Sequence, residues 1–334
     1  MDIITRRSFV TGSMVTCGTL ASTGALGKQR VLNTRLRLGV NLAGAEFKAI
    51  GGRWKWPSTV NLNYYLAKGF NIFRVPFLWQ RLQLEPGAPL DESAMTGLDR
   101  IVELATSSGA VVMLDCHNYG RHDKTEIGSA GSPFSISAFA NFWGRIARRY
   151  RRNTLVWYNL MNEPHDQDPM LNLAVQNAAC ASIRRAGATS KVLFSGIDWS
   201  GAKSWISSKN GKVMLGARDP ANNFAFDVHQ YLERAHISAD LKDVPGIGSR
   251  ILSDVYDWAK TNNRRILLGE FGVNSDPRSM PEVEAMLAFM AARTDVFIGA
   301  TYFAGGGTWG KNPNSADPID GVDKPQTEMM RKYL

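Results

Sequence analysis

The chain has 334 residues, 44% of them hydrophobic and 21% charged, the balance of a globular protein with enough apolar side chains for a full core. That composition excludes an extended disordered chain and a bundle of membrane helices. The formal net charge is +9, yet the densest basic group, Arg148, Arg149, Arg151 and Arg152, closes a helical pattern where it favours the helix dipole, so no nucleic-acid partner is expected.

The first segment, TRRSFVTGSMVTCGTLASTGALG, carries paired Arg6 and Arg7, then a weakly apolar stretch rich in Gly, Ser and Thr with no acidic residue as far as Gly27. It resembles a twin-arginine export signal, which implies a bacterial protein translocated already folded and found in the periplasm or outside the cell. A short N-terminal membrane anchor is the alternative, opposed by the glycines and hydroxyls in the stretch. Setting residues 1–27 aside removes Arg6, Arg7 and Asp2, lowering the formal charge from +9 to +8, and leaves Cys116 and Cys180, too few for a disulfide framework. Nothing in the remainder predicts stable membrane insertion, and a monomer is expected.

From residue 28 onward short apolar runs recur at Leu36–Val40, Ile72–Pro76, Val111–Asp115, Val156–Leu160, Val192–Ser195, Phe224–Val228, Ile266–Gly269 and Phe297–Phe303. Helical patterns separate most of them, at Asp99–Ser107, Ser137–Tyr150, Met170–Ala186, Arg250–Thr261 and Pro281–Ala292. Strand-helix alternation of this kind predicts parallel strands with helical crossovers, and about eight units over 28–334 predict one α/β domain, a (β/α)8 TIM barrel. An open doubly wound sheet would want a phosphate-type glycine loop after an early strand, and LGVNLAGAEF contains no G-x-G-x-x-G.

A barrel carries its site at the C-terminal ends of its strands. The runs end in polar residues there: Arg74 in the second, Asp115, His117, Asn118 and Tyr119 after the third, Asn162 and Glu163 after the fourth, Asp227, His229 and Tyr231 in and after the sixth, Glu270 after the seventh. Two carboxylates, Glu163 and Glu270, would then face one another across the mouth, as glycosidic bond cleavage requires, one to protonate the leaving oxygen and one to attack or stabilise the anomeric carbon. Arg74 and Tyr231 are expected to hold Glu270 ionised, and an apolar, anionic setting is expected to raise the pKa of Glu163.

The stretches GVNLAGAEF, NIFRVPFLWQRLQ, LDCHNYGR, NLMNEPHD, DPANNFAFDVHQYLE and LLGEFGV, in this order, resemble glycoside hydrolase family 5, in particular its endo-β-1,4-glucanases. The resemblance spans the chain from about Leu36 to the last helix. It implies a retaining mechanism without metal or organic cofactor, with Glu163 as acid/base, Glu270 as nucleophile, Asn162 against the sugar 2-hydroxyl, and Arg74, His117, His229 and Tyr231 in support. A retaining enzyme further predicts carboxyl groups about 5 to 5.5 Å apart. Three departures bear on substrate. Phe303 stands where the family has a tryptophan platform on strand eight, Cys116 replaces the usual proline, and the loop from Glu233 to Gly248 is charged.

Trp54, Trp56, Trp199, Trp205 and Trp309 are candidate sugar platforms, with Trp199, after strand five, matching a family position on the leaving-group side and Trp309 lying beyond strand eight. Asn41 and Glu46 are candidates to bind sugar hydroxyls. His122, His165 and His236 have no ligand-like spacing, so no metal is expected. The readings that stay open are an exported β-1,4-glucanase, the same chemistry on mannan, xyloglucan or a decorated or acidic bacterial exopolysaccharide, and a non-catalytic carbohydrate-binding protein. A metal-dependent barrel hydrolase would require an H-x-H after strand one, and GVNLAG has none.

Overall fold

The computed structural model describes residues 35–47, 54–232, 246–273 and 279–334. The expected export signal at residues 1–27, His236 and most of the Glu233–Gly248 loop lie outside the described residues. Strands β1 (Arg37–Leu42), β2 (Ile72–Phe77), β3 (Val111–Cys116), β4 (Val156–Asn159), β5 (Val192–Ser195), β6 (Phe224–Tyr231), β7 (Ile266–Gly272) and β8 (Phe297–Gly305) correspond to the eight apolar runs. Each pairs in parallel with the next, and β8 pairs with β1, closing the barrel. β-branched and aromatic residues fill these strands, and nearly every strand position is buried because helices cover the outer face.

The helices start where side chains satisfy their first amides. Asp91 accepts from Ala94 N at the head of Glu92–Ser107, Ser135 from Ala138 N at Ile136–Tyr150, and Asp168 from Met170 N at Pro169–Arg185. The first of these begins seven residues before the expected Asp99, the gap between Glu92 and Asp99. Its first turns are polar and contain Gly97, which is required because a Cβ there would sit 2.1 Å from Cδ1 of Trp56. The helix expected at Arg250–Thr261 is broken into Ile247–Arg250 and Ser253–Thr261. A helix over Thr59–Ala67 is an addition to the sequence reading, since TVNLNYYLA has β-branched and Asn residues and little amphipathic signal.

Inside the barrel the period of two sorts the side chains into layers. Ile72, Val111, Met113, Trp157, Leu193, Ala225 and Leu267 form an apolar plug. Two residues further along their strands, on the same face, stand Arg74, Asp115, Asn159, Ser195, Asp227 and Gly269. The plug is thus the floor on which a polar layer rests.

Candidate active site

Arg74 occupies the centre of that layer and is fully buried. Its Nη1 donates to Glu270 Oε1 at 2.6 Å and to Asn41 Oδ1 at 2.8 Å, and its Nη2 donates to Asn162 Oδ1 at 2.6 Å. The same Nη2 lies 3.0 Å from Asp115 Oδ1 and 3.7 Å from Asp227 Oδ2. Burial would lower the proton affinity of the guanidinium, but the charges of Asp115, Glu270 and Asp227 reverse that, so it stays charged. A buried charge of this kind is tolerated only when so surrounded. Gly269 completes the layer, because a Cβ there would lie 1.8 Å from Asp227 Oδ1.

Above this layer the two glutamates have different partners. Glu270 receives Arg74 and, at 2.6 Å, the hydroxyl of Tyr231, both of which stabilise negative charge on it. Glu163 Oε1 is 2.7 Å from His229 Nδ1, and the other ring nitrogen of His229 is 3.1 Å from Asp227 Oδ2. One oxygen of Glu163, one of Glu270 and a His229 nitrogen all lie within 4.8 Å of one another. That distance alone would suit a cation, but the donor set does not. Arg74 already neutralises Glu270, and both His229 nitrogens are engaged.

The proton affinity of Glu163 departs from expectation. Burial pushes its carboxyl up, but the hydrogen bond from His229, together with the charges of His229, His117 and Arg74, outweighs burial and leaves it below the ordinary carboxylate value. The same contact acts in the opposite sense on His229. Burial lowers the imidazole, and Glu270, Asp227 and Glu163 raise it well above its ordinary value. His117 is also raised, against the effect of burial, by Asp115 at 2.8 Å and by Glu270. Its other nitrogen is 3.2 Å from both Tyr119 Oη and Asn162 Nδ2.

The backbone is strained where these side chains are presented. Glu163 and Asp166 have φ of 43° and 51°, and Asp198, Trp199 and Ser200 have φ of 57°, 52° and 54°. Trp199 N donates to Pro164 O at 3.2 Å, tying the two turns together, and the Trp199 ring stacks on His165 at 4.8 Å and 11°. Non-glycine residues in this region cost about 1 to 3 kcal/mol each and gather where a side chain must be aimed. Trp199 is 47% exposed, with its ring over His165, two residues beyond Glu163. Phe303 lies nearly parallel to His117 at 6.4 Å and edge-on to Trp309 at 5.3 Å, and Trp309 in turn meets Phe47 at 6.3 Å.

The predicted residues Arg74, His117, Asn162, Glu163, His229, Tyr231 and Glu270 thus meet in one cluster, with Phe303 against it and Trp199 and Trp309 flanking. Of the other candidates, Asn41 belongs to the supporting layer and the rest lie apart from the cluster. Asn41 is fully buried and spends its amide on Arg74 and on the carbonyls of Gly269 and Thr301. Glu46 is buried, accepts from Gly44 N at 2.7 Å, and is pushed up to about 7 chiefly by burial. Trp205 is a core residue packed on Phe226 and Trp258. Trp56 packs against Phe77 of β2 with its indole N–H on Ala94 O, and Trp54 lies beside it under Arg81. His122 stacks on Phe134 and, among the described residues, joins no cluster of three or more candidate ligands. The sequence reading missed Asn159, which bridges Asp115 and Asp227 at 2.8 and 2.7 Å. Its place two residues after Trp157 on β4 was the available signal.

A closed parallel barrel with two facing carboxylates at the C-terminal rim, backed by arginine, histidines and tyrosine, defines a barrel glycoside hydrolase. The cellulase model of glycosyl hydrolase family 5 matches residues 39–317, and the chain belongs to that family. Endo-beta-1,4-glucanase B of Aspergillus niger is 33% identical over 291 residues, covering 85% of this chain and 86% of its own. Endoglucanase 3 of Humicola insolens is 31% identical, covering 89% of this chain and 77% of its own. Among solved structures, that of XacCel5A in complex with cellopentaose superposes with a TM-score of 0.83 at 32% identity, covering 90% of this chain and 99% of that one. The Pseudomonas stutzeri endoglucanase Cel5A bound to cellobiose gives 0.79 at 28% identity, covering 89% and 91%. The chain is a glycoside hydrolase of the cellulase type with endo-β-1,4-glucanase relatives.

Proposed function

We propose that the protein is an exported, retaining endo-β-1,4-glucanase in which Glu270 attacks the anomeric carbon and Glu163 is the acid/base. The observation that carries this reading is the close and asymmetric pair: an oxygen of each carboxylate within 4.8 Å of the other, with Arg74 and Tyr231 on Glu270 and a histidine on Glu163. Inverting enzymes hold their acids about 6.5 to 9.5 Å apart to admit a water between them, whereas retaining ones use about 5 to 5.5 Å. Glu270, with two donors at 2.6 Å, is a carboxylate fixed for in-line attack. Glu163 shares a proton with His229 and supplies it to the leaving oxygen. Trp199 offers a platform on the leaving-group side, and Phe303 with Trp309 an apolar wall opposite. The cellopentaose of XacCel5A supports a β-1,4-linked glucan of several units as substrate here.

Paired Arg6 and Arg7 support export in the folded state to the periplasm or beyond, without a stable membrane anchor, and the same reading takes the protein as a monomer. Replacing both arginines by lysine should trap the protein inside the cell. A second reading, the same chemistry on a decorated or acidic β-glucan, is favoured by Phe303, a smaller platform than tryptophan. Product analysis on soluble cellulose, mannan, xyloglucan and an acidic exopolysaccharide tests both. Fastest release of short oligosaccharides from unsubstituted β-1,4-glucan supports the first reading, and fastest release from a substituted polymer supports the second. Binding of these polymers without any cleavage would leave a carbohydrate-binding protein and overturn both.

A further inference from the structure

The polar layer and the rim above it contain a repeated pattern. Asp115-Cys116-His117-Asn118-Tyr119 runs off β3 and Asp227-Val228-His229-Gln230-Tyr231 lies within β6, two Asp-x-His-x-Tyr segments on different strands of the barrel. In each the aspartate sits two residues before the histidine and binds its ring, at 2.8 Å on β3 and 3.1 Å on β6. Asn159 joins the two aspartates, and Arg74 lies against both. The segments differ in what the far nitrogen of the ring meets. On β3 it meets Asn162 and Tyr119, and on β6 it meets the Glu163 carboxylate at 2.7 Å.

We propose that Asp227 is a positioning residue for proton transfer, holding His229 as the imidazolium against Glu163 so that the His229–Glu163 pair carries the proton delivered to the leaving oxygen. Asp227 is fully buried, and Oδ1 has no partner while Oδ2 takes His229 and Asn159, so its charge is directed at the ring. The groups facing His229 are Asp227 on β6, Glu163 beyond β4, Glu270 on β7 and, behind Asp227, Arg74 on β2. Those facing Glu163 further include His117, Tyr119 and Tyr231. Anions outnumber the single permanent cation, Arg74, around the ring, in keeping with its raised proton affinity.

As the Glu270 oxygen bonds to the anomeric carbon and the glycosidic C–O bond breaks, the leaving oxygen takes the pair's one proton, leaving neutral His229 and carboxylate Glu163. Water then displaces Glu270 from the sugar, and its proton returns to the pair. Asp227 keeps its charge throughout and touches no substrate.

The inference rests on Glu163 being the acid/base, and the test separates the two. Asp227→Asn removes a charge about 3 Å from the ring, which should move the alkaline limb of kcat/KM on a soluble glucan about 1 pH unit or more to lower pH. Loss at neutral pH should be about tenfold, with KM little changed. On an aryl cellobioside with an activated leaving group, which needs no proton in the first step, the loss should be far smaller. Equal loss at every pH and on both substrates would mean that Asp227 is merely structural and would overturn the proposal. If Glu163→Ala also fails to spare the activated substrate, the acid/base assignment itself has failed. Should Asp227→Asn not fold, nitrogen NMR of the unaltered protein decides the matter. The proposal requires His229 doubly protonated at pH 7.5, and a neutral ring there would refute it.

Discussion

At the scale of residues, Glu163 and Glu270 share a chemistry and differ in surroundings, and the difference is testable by truncation. Glu270→Ala should abolish turnover of polymer and aryl glycoside alike, because no other group is placed to attack. Glu163→Ala should reduce polymer cleavage by roughly 100-fold or more while sparing the first step on substrates with activated leaving groups. Steady-state rates on both substrates check this, and equal losses would count against the division of roles. Phe303, 8% exposed between His117 and Trp309, has less stacking area than tryptophan. Phe303→Trp should raise the rate on plain β-1,4-glucan relative to decorated polymers several-fold, the equivalent of about 1 kcal/mol of stacking. An unchanged ratio would mean the substitution does not bear on specificity. The two glutamates were legible in the sequence because each follows an apolar run directly. The depressed proton affinity of Glu163 was not, because it depends on the 2.7 Å approach of His229 from another strand, 66 residues away. Asn159 and the roles of Asp115 and Asp227 were hidden for a related reason. They lie within or at the ends of apolar runs, where composition reads as core and only the facing direction makes them functional.

At the scale of elements, all eight strands were legible from short apolar runs, whereas helix boundaries depended on contacts that the sequence does not display. Gly97 lowered the helical signal where Trp56 demands it, and Thr59–Ala67 is held by packing of Leu62 and Tyr65 rather than by propensity. The helix Pro169–Arg185 is locked to the approach of β6 by a forked pair: Arg184 Nε and Nη2 reach Asp219 at 2.7 and 2.8 Å. Asp219 also accepts from the amides of Ala221 and Asn223. Burial raises the Asp219 carboxyl, but Arg184 and the amides win and hold it below the ordinary value. A depressed carboxylate contributes stability above its unfolded pKa and loses it as pH falls through the folded one, so this clamp should weaken only below about pH 4. Asp219→Ala leaves Arg184 buried without its partner and should cost about 3 to 5 kcal/mol in denaturant unfolding. A cost under 1 kcal/mol would show the pair to be dispensable.

At the scale of the whole molecule, the barrel turns a two-residue period into a device: an apolar plug, a charged layer on it, and reacting groups on the rim. The formal net charge of +9 gives a further prediction. If an anionic glucan is the preferred polymer, its KM should rise with salt while that of neutral glucan stays constant. Matching salt profiles would assign the charge to solubility alone. The central claim is that Glu163 and Glu270 cleave by double displacement. Proton NMR of the anomeric centre during the first minutes of cello-oligosaccharide hydrolysis tests it most directly. The account predicts that the β-anomer of the new reducing end appears first, with the α-anomer following only by mutarotation. First appearance of the α-anomer would mean single displacement by water and would contradict it.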